Sequence, residues 1–436
     1  MNKEKKNTRG ITLIALVVSI IVLLILASIT IAALSGDNGI LTRAKEAKEK
    51  TQQAQKEEEK TISNIENVGN STINFKNINM ADTNPAGAMP TDVTILEADA
   101  NKGIVIKDQN KNEWVWIEVP KTKVFTEMQI DETKELADQD YENIKNRLVT
   151  YVGVYRNGSA TQTRNSWTDE WYAIDGNTVL TANTENLTEA QKKLKDGCGL
   201  NFYNYKKIYQ KMLKNVYIYG GFWIGRYESG IEGSVEDLTK ARTVHTNIEI
   251  ETSPRAISQK DAIPYNYVYC SEAQALAKEM TPNSSYTSSL MFGIQWDLIC
   301  KFLEEKTELS IADINSDSSS WGNFSNTEII ITSENAKQLI SSTEIWNKIV
   351  NKKTVGSILL SVGASDKTNK MNIYDFAGNE REWTLEQANS YQDSPCAIRG
   401  SYYNVEGTNN PTSYRSSTNI NVSSVSISFR TTLYKN

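Results

Sequence analysis

No charged side chain occurs between Arg9 and Asp37, and the run ITLIALVVSIIVLLILASITIAAL that fills this gap is almost wholly apolar. An apolar stretch of this length dictates its own environment. At about 1.5 Å per residue, roughly 20 helical residues cross a ~30 Å hydrocarbon core, so residues 11–36 are expected to span a membrane once. The leader MNKEKKNTRG is basic, which keeps it on the cytoplasmic side and places everything after residue 36 outside. The expected location is therefore the cell membrane, with an extracellular C-terminal domain.

Beyond the membrane, SGDNG at 35–39 weakens the helix, and ILTRAKEAKEKTQQAQKEEEKTISNIENV follows. That segment is rich in helix formers and carries Glu46 four residues before Lys50, an order that supports an exposed helix. Residues 37–68 are thus expected as a solvated helical stalk with only a thin apolar stripe. Residues 69–101, rich in Asn, Thr, Gly and Pro, are expected as a linker and first turns. A globular domain is expected over 102–436.

Composition excludes several functions for that domain. Forty-seven basic residues against 53 acidic ones leave a net charge of −6, with no basic cluster beyond the leader, so nucleic acid is not an expected partner. The chain has a single histidine, His245, whose context RTVHTN offers no ligand at metal spacing. Zinc sites and histidine-dependent triads lean on more than that. Cys198, Cys270, Cys300 and Cys396 lie far apart without CxxC spacing; an extracellular location permits disulfides, while a large core accommodates free buried thiols equally well.

Within the domain, GIVIKDQNKNEWVWIEVP alternates as two strands around a polar turn. NLTEAQKKLKDG, SEAQALAKEM and SLMFGIQWDLICKFLEE show three-to-four spacing and are expected as helices, and VYIYGGFWIGRYE is expected as strand. Few helices among many short strands indicate an irregular α+β fold.

Two resemblances sharpen these expectations. The leader ending in Gly10, followed by Ile11-Thr12-Leu13-Ile14 and an uninterrupted apolar helix, resembles type IV prepilins and pseudopilins. That likeness implies cleavage between Gly10 and Ile11 by prepilin peptidase, methylation of the new N-terminus, and packing with other pilin-like subunits in a pilus or pseudopilus. Ala15 stands where the family usually has Glu, a departure that suits a minor subunit. Further on, GGFWIGRYESG (220–230), the Trp-bearing helix at 289–305, MNIYDFAGNEREWTLE (371–386) and CAIRG...SISFR (396–430) occur in the order found in the formylglycine-generating enzyme (sulfatase-modifying factor) family. The implied fold is of the C-type-lectin-like kind.

That second resemblance implies specific sites. It carries a calcium site onto Asp375, the backbone carbonyls of Gly378 and Glu380, and the carboxylate of Glu382, a set of oxygens suited to a hard cation. The plainer alternative is that Asp375 and Glu382 accept hydrogen bonds from turn amides. The family's catalysis uses two copper-binding cysteines, soft ligands for a soft ion. Here Asn404 and Asn409 stand at about those positions, Cys396 lies before the motif, and no cysteine follows it. Ser401 and Ser428 replace glycines of the RGG and GFR motifs. The chain is therefore expected not to be an enzyme of that kind.

What replaces the chemistry is a polar, aromatic-dotted loop system: 19 of the 28 residues from Ser401 to Ser428 are Asn, Ser, Thr or Tyr. Tyr offers contact area with little rotamer freedom to lose, and Ser and Asn offer adaptable hydrogen bonds. Tyr402, Tyr403, Asn404, Asn409, Asn410, Tyr414 and Arg415 are the expected ligand contacts. C-type-lectin-like proteins with this C-terminal layout include variable proteins of diversity-generating retroelements, and the composition fits that source as well. The expected function is a non-catalytic, surface-displayed binding protein, adhesin-like, whose loop 399–430 recognises an extracellular protein or glycan. The alternatives are an enzyme of the superfamily using other residues and a passive structural pilus subunit.

Overall fold

The computed structural model describes residues 75–130, 135–156, 167–233, 245–281, 285–340, 345–349, 353–388 and 394–436. The expected leader, membrane-spanning segment and stalk, with Gly10 and Ile11, lie outside the described residues. Among the described residues no helix is long and apolar enough to cross a membrane.

Two sheets and four longer helices organise the domain. The strands used below are β1 (Thr94–Glu97), β2 (Val105–Lys107), β3 (Glu113–Glu118), β4 (Trp167–Thr168), β5 (Gly221–Gly225), β6 (Tyr286–Leu290), β7 (Arg381–Ala388), β8 (Cys396–Arg399), β9 (Arg415–Thr418), β10 (Ile427–Phe429) and β11 (Thr431–Lys435). The helices are α1 (Asp138–Val152), α2 (Phe202–Tyr219), α3 (Cys270–Glu279) and α4 (Gly293–Lys306). One sheet is antiparallel with order β1-β2-β3-β5-β11-β6. The other has order β9-β8-β7-β10, with β4 pairing the far end of β7 and only the β7/β10 pair parallel. A single residue, Arg430, carries the chain from β10 in one sheet to β11 in the middle of the other.

Local chemistry explains most of these boundaries. The Gln-Asn-Lys-Asn turn joins β2 to β3, as the alternation predicts. Asn201 caps α2 by accepting from the Asn204 N–H at 2.9 Å, and Gly220, left-handed at φ 65°, ends it. The expected strand VYIYGGFWIGRYE is consequently split: its first four residues finish α2, and β5 starts after the glycine. Helix α1 buries Ile144, Leu148 and Val152, spaced four apart on one face. Helix α4 is buried nearly all round, from Ile294 to Leu303.

Two expectations are corrected. NLTEAQKKLKDG forms only a 3-10 turn at Gln191–Lys193, because Asn186 takes φ 59° and too few apolar residues follow to anchor a longer helix. Residues 75–101, read as linker, belong to the domain: Thr94–Glu97 is an edge strand, and Phe75, Ala88 and Ala100 are buried. The core is aromatic, with Trp114, Trp223, Trp296 and Trp383 at most 1% exposed. The four cysteines are free and buried.

Candidate functional site

The loop between β8 and β9 begins at an uncommon geometry. Gly400 has φ 71°, and a Cβ there would meet the Trp296 ring at 2.9 Å, so only glycine turns the chain over that indole. Trp296 in turn stacks on Phe376, with centroids 4.1 Å apart, and donates from Nε1 to the Thr412 carbonyl at 3.0 Å. Backbone bonds fasten the loop along its length: Gly400 N to Tyr414 O, Tyr403 N to Asn379 O, Ser325 N to Val405 O and Ser413 N to Ile314 O, all between 2.9 and 3.1 Å. The Ser318 hydroxyl also accepts from the Thr412 N–H at 2.9 Å.

Beneath the loop lies a buried ion network. Arg399 ends β8 and Arg415 begins β9, directly opposite each other in register. Two like charges so placed repel. Asp297 of α4 and Glu386 of β7 bridge them. Asp297 accepts from Arg399 Nη2 at 2.7 Å and from Arg415 Nη2 at 2.7 Å, and Glu386 accepts from Arg399 Nη1 and Arg415 Nε, both at 3.1 Å. All four side chains are at most 1% exposed. Arg156 adds a third cation, reaching Asp297, Glu386 and Asp169, while Asp169 accepts from the first two amides of α4. Burial pushes the Glu386 carboxyl up, but Arg415, Arg399 and Arg156 outweigh it and hold it down at about 2.

The expected contact residues therefore separate. Asn404 and Asn409 are exposed, and Tyr402, Tyr403 and Tyr414 are half-buried. Arg415 is a correction: its guanidinium is spent on Asp297, Glu386 and the Tyr155 carbonyl. Asn410 is buried too; with its amide oriented to satisfy both ends, its oxygen accepts from Arg381 Nη2 at 2.6 Å and its nitrogen donates to Asn409 O at 2.8 Å. Sequence reasoning missed Arg381, whose guanidinium carbon sits over the Tyr402 ring at 4.5 Å and the Tyr414 ring at 5.8 Å. Its position inside NEREW, between two motif glutamates, was the available signal.

Of the expected calcium ligands, the two carboxylates, Asp375 and Glu382, sit elsewhere, at the sheet crossover, and each has protein partners. Asp375 accepts from Gly363 N at 2.6 Å and Thr368 Oγ1 at 2.8 Å. Both Glu382 oxygens accept from Arg430, which also donates to the Gly225 and Tyr374 carbonyls. Glu380 Oε1 accepts from Asn266 Nδ2 at 2.9 Å, and a Cβ on Gly378 would strike the Asn323 carbonyl at 2.1 Å. Among the described residues no group of three His, Cys, Asp or Glu side chains has metal-holding geometry. The hydrogen-bonding alternative describes the Asp375 carboxylate, and an ion pair with Arg430 describes that of Glu382. The turn itself takes two left-handed residues in succession, Gly378 at φ 79° and Asn379 at φ 58°, residue types that tolerate that region. His245 is likewise satisfied, hydrogen-bonded with Glu272 at 3.0 Å and stacked on Tyr269.

No family profile matches the chain, and no curated protein matches it. Among solved structures, Treponema denticola variable protein 1 is similar at a TM-score of 0.29 and 11% identity, covering 50% of this chain and 85% of that one. CarF is similar at a TM-score of 0.28 and 11% identity, covering 50% and 87%.

Proposed function

We propose that the chain is a non-catalytic binding protein, held at the cell surface by its N-terminal apolar segment, whose loop 399–430 recognises an extracellular protein or glycan on a formylglycine-enzyme-like, C-type-lectin-like scaffold. One observation supports this above others: the 400–414 loop is clamped at both ends by Arg399 and Arg415 on shared carboxylates, and it leaves Asn404 and Asn409 exposed beside half-buried tyrosines. A loop fixed before it meets a partner loses little entropy on binding. The asparagines that stand near the family's cysteine positions are among its exposed residues. The minor-pilin role belongs to the same proposal and rests on the Gly10/Ile11 junction.

The full-length protein, screened against glycan and protein arrays, is expected to bind a discrete set of ligands, with binding lost on combined Asn404→Ala and Asn409→Ala substitution. A parallel assay offers a CxPxR peptide with copper. Oxidation of its cysteine at catalytic turnover would overturn the non-catalytic assignment.

A further inference from the structure

Arg381 differs from the other buried or half-buried arginines of the domain. Arg156, Arg226, Arg399, Arg415 and Arg430 each pair with at least one carboxylate. Among the described residues Arg381 pairs with none, its Nε is buried without a partner, and the sole hydrogen bond of its guanidinium is the one from Nη2 to Asn410. Removing a guanidinium from water without a counterion is costly, and two tyrosine faces offset only part of that cost. Asn410 fixes the orientation of the group, and among the described residues Nη1 meets no acceptor. Tyr402 and Tyr414 are half-buried, and Asn404, two residues after Tyr402, is exposed. The cation thus sits at the wall of the same loop, oriented and lacking an anion.

We propose that Arg381, framed by Tyr402 and Tyr414, is an oxyanion subsite of the binding loop that takes a carboxylate or sulfate group of the ligand. This rests on the loop's being a recognition surface and names the chemistry it selects. The guanidinium fork matches such oxygens and the aromatic rings exclude water beside the pair, which strengthens it. An uncharged ligand leaves the cation unpaired and is discriminated against.

The test uses the full-length protein and small probes. Sodium sulfate and sodium acetate are titrated against sodium chloride at constant ionic strength, and the thermal midpoint is followed. Sulfate stabilises most proteins weakly, so the informative part is the saturable rise over the Arg381→Gln variant. The wild type is expected to show that rise with both anions, Arg381→Gln to lose it, and Arg381→Lys, which keeps the charge and loses the fork, to bind about tenfold more weakly. No saturable rise in the wild type, or an equal one in Arg381→Gln, overturns the proposal. Should Arg381→Gln not fold, Arg381→Lys decides: undiminished binding by it overturns the fork geometry.

Arrays of sialylated, sulfated and uncharged glycans then separate carboxylate from sulfate sources. Ligands that depend on Asn404 and Asn409 but bind Arg381→Gln equally well would overturn this subsite and leave the binding-loop assignment standing. Arg381-dependent capture of sulfate or acetate, with no array ligand dependent on the loop, would support the subsite and overturn the assignment instead.

Discussion

Arg399 and Arg415 face each other across two strands, and only Asp297 and Glu386 make that arrangement tolerable. Deleting one carboxylate leaves two buried guanidiniums short of a partner. Glu386→Gln is therefore expected to cost about 3–5 kcal/mol in urea denaturation, the range for breaking a buried pair by removing one side. Arg415→Ala belongs to the same class: it should lower stability by a similar amount, with ligand binding falling only in step with the folded fraction. A selective loss of binding at unchanged stability would return Arg415 to the contact surface. Its position in a stretch of Asn, Ser and Tyr made it look like a contact residue. Composition reports the neighbourhood of a residue, whereas burial depends on Glu386 and Asp297, which lie 29 and 118 positions away and are paired with it only by the fold.

At the scale of elements, the 400–414 loop combines a rigid base with a replaceable rim. Gly400→Ala would force a Cβ against Trp296 and a side-chain-bearing residue into φ 71°. A cost of about 1–3 kcal/mol is expected, visible as a lowered thermal midpoint. Asn404→Ala and Asn409→Ala, on exposed positions, should each stay within about 0.5 kcal/mol of the parent. A loop in which both kinds of change were equally tolerated would not be held as described. The elements readable from sequence were those with strong local causes. SEAQALAKEM became α3, all but the first four residues of SLMFGIQWDLICKFLEE became α4, and the turn after β2 fell where its asparagines put it. Helices α1 and α2 were not anticipated, since their apolar faces are interrupted by Lys, Asn and Tyr and are completed by packing against α4, β5 and each other. The strand pairing that brings Arg381 beneath Tyr402 is likewise a product of long-range register.

Across the whole domain, two buried charge centres respond to protons in opposite directions. Glu386 is held at about 2, below its ordinary 4.5, so its contribution to stability is full above pH 4.5 and is lost as pH falls through about 2. The crossover centre behaves the other way. Arg430 is paired with Glu382 and also acts on Glu228 and Asp375; burial, and then the charge of neighbouring carboxylates, raises the Glu228 and Glu380 carboxyls well above the ordinary range. A group raised in this way binds its proton more tightly in the folded state. Its contribution is present below pH 4.5 and drains away as pH rises through the folded value. Glu380→Gln isolates this effect, because the amide oxygen can still accept from Asn266 and no buried charge needs to form. The variant should match the wild type near pH 4.5 and exceed it by about 1 kcal/mol or more at pH 8, measured as urea midpoints across that range. A difference that is constant with pH would mean that Glu380 is already ionised in the folded domain, and that the crossover holds three or more carboxylate charges around Arg430 without titrating.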